Sequence, residues 1–187
     1  MNLASTGVDG GILDFVIDNR NGFATSLAHG LSWLGSTATL TVVAVVAGFV
    51  FAAFSQRRAA AMVWLGSLSA YFLMILLKGW IDRDRPPAPD RLAQVAHQSM
   101  PSGHAMMSAV VFGLIAVGLY RASAWIREHP DVLLAAPILS AAIGLSRVYL
   151  GVHWLTDVVV GWVIGAVWVG LVATAARVIR RTQATIA

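Results

Sequence analysis

The sequence predicts an all-α integral membrane protein, a bundle of about five transmembrane helices preceded by an N-terminal amphipathic helix lying in the interface. Three observations carry this reading. Of 187 residues, 58% are hydrophobic and 12% charged, where an ordinary soluble chain carries about 25% charged residues, and mean hydropathy is +0.74. Apolar stretches long enough to cross a hydrocarbon core of about 30 Å recur along the chain. The charged residues fall between those stretches and never gather into a basic block, so the net charge of +4 marks topology and sites and gives no nucleic-acid surface.

Taken in order, residues 11–34 interleave Ile12, Phe15, Val16, Phe23, Leu27 and Leu31 with Asp14, Asp18, Arg20, Asn21 and His29. That mixture fits one amphipathic interfacial helix, or two broken at Asn21-Gly22, better than a span. Spans are expected at about 36–54, 59–81, 103–120, 132–150 and 155–179. The fourth carries Arg147 near its end, where an arginine snorkels to the interface or enters a protein pocket. Residues 82–102, DRDRPPAPDRLAQVAHQSMPS, are too rich in proline and charge for a buried helix and form the long polar loop. No repeat or linker divides the chain, so residues 1–187 read as a single membrane-embedded domain. The opening stretch lacks the basic region and unbroken apolar core of a secretory signal, so no cleaved leader is expected. With no cysteine there is no disulfide, thiol nucleophile or Cys-ligated metal.

The arginines set the expected orientation. One side collects Arg57, Arg58, Arg121, Arg127, Arg177, Arg180 and Arg181, while the other balances its cations with Asp9, Asp14, Asp18, Asp82, Asp84, Asp90 and Asp157. The first side, with the C-terminus, is expected in the cytoplasm, and the polar loop outside a plasma membrane. Trp33, Trp80 and Trp154 then fall near the outer interface and Trp125 near the inner one.

Unusual polar residues collect on the expected outer side, at KGWIDRDRP (78–86), PSGH (101–104) and SRVYLGVHWLTD (146–157). Singly, each has a structural reading: Lys78 and Arg147 as lipid anchors, Arg85 as a solvated loop residue, His104 as a helix cap, His153 with Asp157 as an interfacial pair. Together they read as one pocket, because ionisable groups at the membrane edge are costly. Lys78, Arg85 and Arg147 converging without equal acids need an anionic ligand, and arginine forks match phosphate oxygens. Ser102 and Gly103 open a helix whose first N–H groups and dipole favour an anion. His153 and Asp157, four apart, share a helical face. The carboxylate would fix one ring nitrogen and leave the other free to attack, with His104 as general acid. Arg83 and Arg91 flank the pocket and are candidates for a second phosphate.

The order K-x6-RP, PSGH, SR-x5-H-x3-D resembles the signature of the type 2 phosphatidic-acid phosphatase superfamily. The matching positions are Lys78, Arg85 and Pro86; Pro101, Ser102, Gly103 and His104; Ser146, Arg147, His153 and Asp157. The resemblance implies a metal-independent, cofactor-free phosphohydrolase forming a phosphohistidine on His153. It also implies Lys78, Arg85, Ser102, Gly103 and Arg147 as phosphate ligands, His104 as acid and Asp157 as orienter. Many membrane members have six spans, and here the amphipathic segment stands in place of the first. The expected substrate is a lipid phosphate met in the bilayer, with polyprenyl diphosphate favoured by analogy. Phosphatidic acid, phosphatidylglycerol phosphate and a prenyl-linked sugar phosphate are the alternatives, and a non-catalytic lipid-phosphate binder is the reading from another class. Gly161 and Gly165 form a G-x3-G that serves dimerisation or packing within one bundle. The sequence leaves the oligomeric state open.

Overall fold

A computed structural model describes residues 7–186, with side chains through residue 178. The topology markers Arg180 and Arg181 lie outside the described side chains. The helices are α1 (Val8–Asp18), α2 (Gly22–Leu34), α3 (Thr37–Ala53), α4 (Arg57–Ile81), α5 (Gly103–Ala122), the short α6 (Ala124–Glu128), α7 (Ala135–Tyr149) and α8 (Leu155–Ile186). A 3-10 turn at Pro130–Leu134 runs into α7.

Four of these segments are long and apolar enough to cross a membrane: α4, α5, Pro130–Tyr149 and α8 as far as Val178. The expected span at 36–54 is modified. At 17 residues, α3 reaches only about 26 Å by itself. Together with α2, from which it is bent by 50°, it is long and apolar enough to cross. The amphipathic segment is therefore two helices, and the second continues into the first apolar one. Their break falls at Asn21-Gly22, where the Asn21 side chain caps α2 by accepting from the Ala24 N–H at 2.9 Å.

At the centre lies α5, which packs against α3, α4, α7 and α8. Its Met106, Val110, Val111 and Leu114 are buried and share a stripe at helical spacing. The outward faces stay apolar: Val42, Phe49, Leu65, Leu76 and Val163 are all exposed, as suits helices whose surroundings are lipid. Polar cross-links substitute for a hydrophobic driving force between helices. Ser108 and Ser140 hydroxyls meet at 2.9 Å between α5 and α7, and the Trp168 indole donates to the Gly66 carbonyl at 3.1 Å between α8 and α4.

Gly161 and Gly165 belong to this interior. A methyl group on Gly161 would lie 2.9 Å from the Ser102 carbonyl oxygen, and one on Gly165 would lie 2.9 Å from Met106 O and Ala109 Cβ. The G-x3-G face thus lets α8 press on α5, and of the two readings packing within one bundle is the one observed. Trp33, Trp80 and Trp125 are exposed, whereas Trp154 is 3% exposed and leaves the aromatic belt. Its indole donates to the Asp84 carbonyl at 2.9 Å, drawing the polar loop down over the α7–α8 turn.

Candidate active site

Three chain segments build the site at one end of the bundle. The first is the end of α4 with the loop behind it. Asp82 closes α4 in a left-handed conformation, φ 46°, with its N–H on the Lys78 carbonyl at 3.1 Å. Lys78 Nζ donates to the Gln98 carbonyl at 2.8 Å. Arg85 gathers several carbonyls of the loop and turn: Nε donates to His97 O at 2.9 Å, Nη1 to Val152 O at 2.6 Å and Nη2 to Gln98 O at 3.2 Å. Two cations therefore share the Gln98 carbonyl. The residues 82–102 are an organised cradle, closed by Ser99 N–H on Arg83 O at 2.8 Å and Leu92 N–H on Leu150 O at 2.9 Å.

The second segment is the start of α5, entered through a cis Met100–Pro101 bond. Ser102 is fully buried, its N–H donates to the Asp157 carbonyl at 3.0 Å, and its hydroxyl has no hydrogen-bond partner and does not cap the helix. The Met74 sulfur and the Lys78 side chain close on Gly103, where a Cβ would lie 2.8 Å from the sulfur. His104 is half-buried, with Arg147 and His153 within electrostatic reach.

The third segment is the α7–α8 turn. Arg147, at the end of α7, is 5% exposed; its Nη1 is held by the Ser32 hydroxyl of α2, and its Nε has no partner. His153 precedes α8, so the expected shared helical face with Asp157 is replaced by a helix-entry turn. Asp157 Oδ2 accepts from the Trp154 N–H at 2.9 Å, the reach-back half of a capping box, and this brings the same oxygen to 3.4 Å from His153 Nδ1. The other ring nitrogen, Nε2, lies 3.2 Å from Arg85 Nη1.

Lys78, Arg85 and Arg147 lie within electrostatic reach of one another. Burial, reinforced by the charge of Arg91, brings Arg85 down to about 10, so it stays charged at neutral pH. Burial pushes His153 down to about 3, against the pull of the Asp157 hydrogen bond, so its imidazole is neutral near pH 7. Three clustered guanidinium and ammonium groups, a neutral imidazole and two buried polar atoms without partners, Ser102 Oγ and Arg147 Nε, fit an oxyanion with several acceptor oxygens.

Arg83 stands apart from that cluster. Its Nη1 donates to Asp157 Oδ1 at 2.7 Å and to Thr156 Oγ1 at 2.6 Å, and its Nη2 pairs with Asp9 Oδ2 at 2.8 Å. The guanidinium thus bonds two carboxylates, those of Asp157 and Asp9. Arg91 remains beside Arg85, with Nε on the Pro86 carbonyl at 2.7 Å.

Sequence reasoning missed Ser99 and Asp9. Ser99 is fully buried and donates to Asp157 Oδ2 at 2.5 Å, with His153 Nδ1 at 3.4 Å. Asp9 accepts from the Thr156 backbone at 3.0 Å and from its hydroxyl at 2.5 Å. Burial raises the Asp9 pKa, but the bonds from Thr156 and Arg83 outweigh it and hold the carboxyl below its usual range.

A helical membrane bundle with a cationic, histidine-bearing cluster at one end has the chemistry that suits a polytopic protein acting on an anionic ligand. The sequence model of the PAP2 superfamily matches residues 59–181, and the chain belongs to that family. It is 31% identical over 150 residues to the phosphatidylglycerophosphatase B of Bacillus subtilis, covering 78% of this chain and 72% of that protein. It is 28% identical over 154 residues to the decaprenylphosphoryl-5-phosphoribose phosphatase of Mycobacterium tuberculosis, covering 81% and 78% of the two chains. The crystal structure of the transmembrane PAP2 type phosphatidylglycerolphosphate phosphatase from Bacillus subtilis matches with a TM-score of 0.86 at 28% identity, over 95% of this chain and 90% of that one.

Proposed function

We propose that this PAP2-type membrane phosphatase hydrolyses the terminal phosphoryl group of a lipid through a phosphohistidine on His153, without a metal ion, at the extracytoplasmic face. The observation that carries the reading is the division of labour on the His153 ring. Nδ1 faces the Asp157 carboxylate at 3.4 Å while Nε2 faces the cations, with Arg85 at 3.2 Å. A neutral imidazole with its Nδ1 proton on a carboxylate presents an Nε2 lone pair to phosphorus.

In the first step Nε2 attacks phosphorus and the bond to the lipid oxygen breaks, with His104 giving that oxygen its proton. In the second, His104 takes a proton from water as the water oxygen attacks the phosphohistidine. The N–P bond breaks, inorganic phosphate leaves and His153 is restored. Lys78, Arg85 and Arg147, with the Ser102 hydroxyl and the first N–H groups of α5, stabilise charge on the equatorial oxygens. Their positive charge opposes a divalent cation in the same place, which supports the metal-free reading.

For the substrate we favour a polyprenyl diphosphate, because Arg91 beside Arg85 offers a cation for the inner phosphate. The names of the two relatives bring phosphatidylglycerol phosphate and a prenyl-linked phosphoribose as a second reading, in which the phosphoryl sits on a monoester. The arginine bias of the loops at the opposite end supports an outward-facing site and a cytoplasmic C-terminus.

The test is phosphate release by detergent-purified protein from a panel of these lipids with chelator present, together with acid-quench analysis for phosphohistidine. Release that persists with chelator, and a phosphoenzyme that His153→Ala lacks, are expected. Loss of activity on chelation would overturn the metal-free reading; undiminished turnover by His153→Ala would overturn the nucleophile.

A further inference from the structure

The first helix sends one acid into the network around the proposed nucleophile. Asp9 is set against the first turn of α8, where it accepts from the Thr156 backbone N–H at 3.0 Å and, through Oδ2, from the Thr156 hydroxyl at 2.5 Å. The same Oδ2 lies 2.8 Å from Arg83 Nη2, while Nη1 of that guanidinium donates to Asp157 Oδ1 at 2.7 Å. One fork therefore spans two carboxylates, and the second of them lies beside His153, with Oδ2 at 3.4 Å from Nδ1. The guanidinium is held on other sides as well, by Thr156 Oγ1 at 2.6 Å from Nη1 and by the Trp154 ring, whose centroid is 5.7 Å from Cζ.

Fastening α1 to α8 needs no arginine, because the two Thr156 bonds already do it. What the arginine adds is charge, and its sign works against the chemistry. A guanidinium in contact with the Asp157 carboxylate forms a neutral pair, and an imidazole beside that pair meets a largely cancelled field. When Nε2 bonds to phosphorus with Nδ1 still protonated, the ring becomes cationic and is stabilised by negative charge next to it. Two carboxylates around one guanidinium leave one net negative charge, which the Arg83–Asp157 pair alone lacks. The side chains of Asp9 and Arg83 are 10% and 21% exposed, so solvent screens this exchange only in part.

We propose that Asp9 is a positioning residue for phosphoryl transfer: by taking up one end of Arg83, it lets the guanidinium hold the Asp157 carboxylate in place without neutralising it. The inference rests on the reading of His153 as nucleophile. Asp9 acts through Arg83 and Asp157, so its contribution belongs to the chemical step and vanishes when Arg83 is removed. A fastening role would instead survive the loss of Arg83, since Thr156 supplies that contact by itself.

A double-mutant cycle tests the proposal, read by rapid-quench single-turnover and steady-state kinetics on the purified full chain with phosphatidylglycerol phosphate and a polyprenyl diphosphate as paired substrates. D9N is expected to slow phosphoenzyme formation and kcat about five- to tenfold on both, with KM within about twofold, and Asp9→Glu to recover part of the loss. In an R83A background the same D9N change is expected to cost less than about twofold. A wild-type kcat in D9N overturns the proposal, as does a loss seen only in KM. An equal loss in the two backgrounds, the signature of fastening alone, overturns it too. His153→Ala separates the two readings. If it turns over undiminished, the nucleophile and this inference fall together; an inactive His153→Ala beside a fully active D9N overturns this inference alone. Thermal midpoints accompany each variant. Should D9N fail to fold, Asp9→Ser, which keeps an acceptor for the Thr156 N–H without the charge, enters the cycle with the same expectations.

Discussion

Arg83 and Asp157 meet at 2.7 Å on the carboxylate oxygen that His153 leaves free. Asp157 is fully buried and its other oxygen accepts from Trp154 N–H and Ser99 Oγ, with the imidazole alongside. The Asp157 carboxylate beside the proposed nucleophile is thus itself held in place from several directions. Arg83, expected from sequence as a candidate for a second phosphate, is bonded to that carboxylate in this geometry.

Replacing Arg83 with alanine is expected to lower kcat about tenfold, the effect of about 1.4 kcal/mol, with KM little changed and the same ratio for mono- and diphosphate lipids. Arg83→Lys should recover part of the loss. A rise in KM confined to diphosphates would restore Arg83 as a phosphate ligand. Steady-state kinetics on paired substrates decides between them.

Arg91→Ala is expected to raise KM for diphosphate lipids several-fold more than for monophosphate lipids. Equal changes for the two would remove the inner-phosphate contact.

Ser99→Ala removes a buried hydrogen bond to the Asp157 carboxylate. Net contributions of about 1 kcal/mol per bond, larger where one partner is charged, place the expected fall in kcat at five- to tenfold. Ser99→Thr, which keeps the hydroxyl, should lose less. Kinetics combined with a thermal midpoint for each variant separates loss of positioning from loss of fold.

Burial of neutral His153 makes stability depend on pH. Below the ordinary histidine value of about 6.5 the unfolded chain takes up a proton that the folded imidazole, pushed down to about 3, does not. Stability therefore falls with pH from about 6.5 downward, by up to about 1.4 kcal/mol per pH unit for this one group. Thermal midpoints between pH 7 and 5 should drop less steeply in His153→Gln than in the wild type; parallel slopes would remove His153 as the cause.

Gly165→Leu is expected to destabilise the bundle by about 1–3 kcal/mol through overpacking of α8 against Met106 and Ala109, and to leave the elution volume on size exclusion unchanged. A change in oligomeric state without loss of stability would return the glycine pair to an intermolecular role.

Much of the fold was legible because apolar length and charge placement report directly on membrane spans. The spans at α4, α5, α7 and α8 follow from them, and the break at Asn21-Gly22 follows from capping chemistry. The 50° join of α2 to α3 was not legible, since a bend depends on what each side packs against. In the candidate site, Lys78, Arg85, Ser102, Arg147, His153 and Asp157 stood out because charge and spacing there are costly in an apolar chain. Ser99, in a polar loop, carries no such mark, and its burial appears only when the loop folds over the α7–α8 turn. The pairing of Asp9 with Arg83 was not legible for a related reason: an acid near the start of the chain and an arginine in a loop are joined only by tertiary structure. Trp154 was read by its position in the chain, whereas its indole was needed to tie down Asp84.

The bond between Asp9 and Thr156 joins residues 147 positions apart. A chain made from its N-terminus presents Asp9 to the membrane long before Thr156, Asp157 and α8 have left the ribosome. The clasp that holds Arg83 between Asp9 and the Asp157 carboxylate can close only when the last helix is inserted. Hydrolytic competence should accordingly appear late in biogenesis and all at once, so that truncated or half-inserted chains sit in the membrane without turning over its lipids.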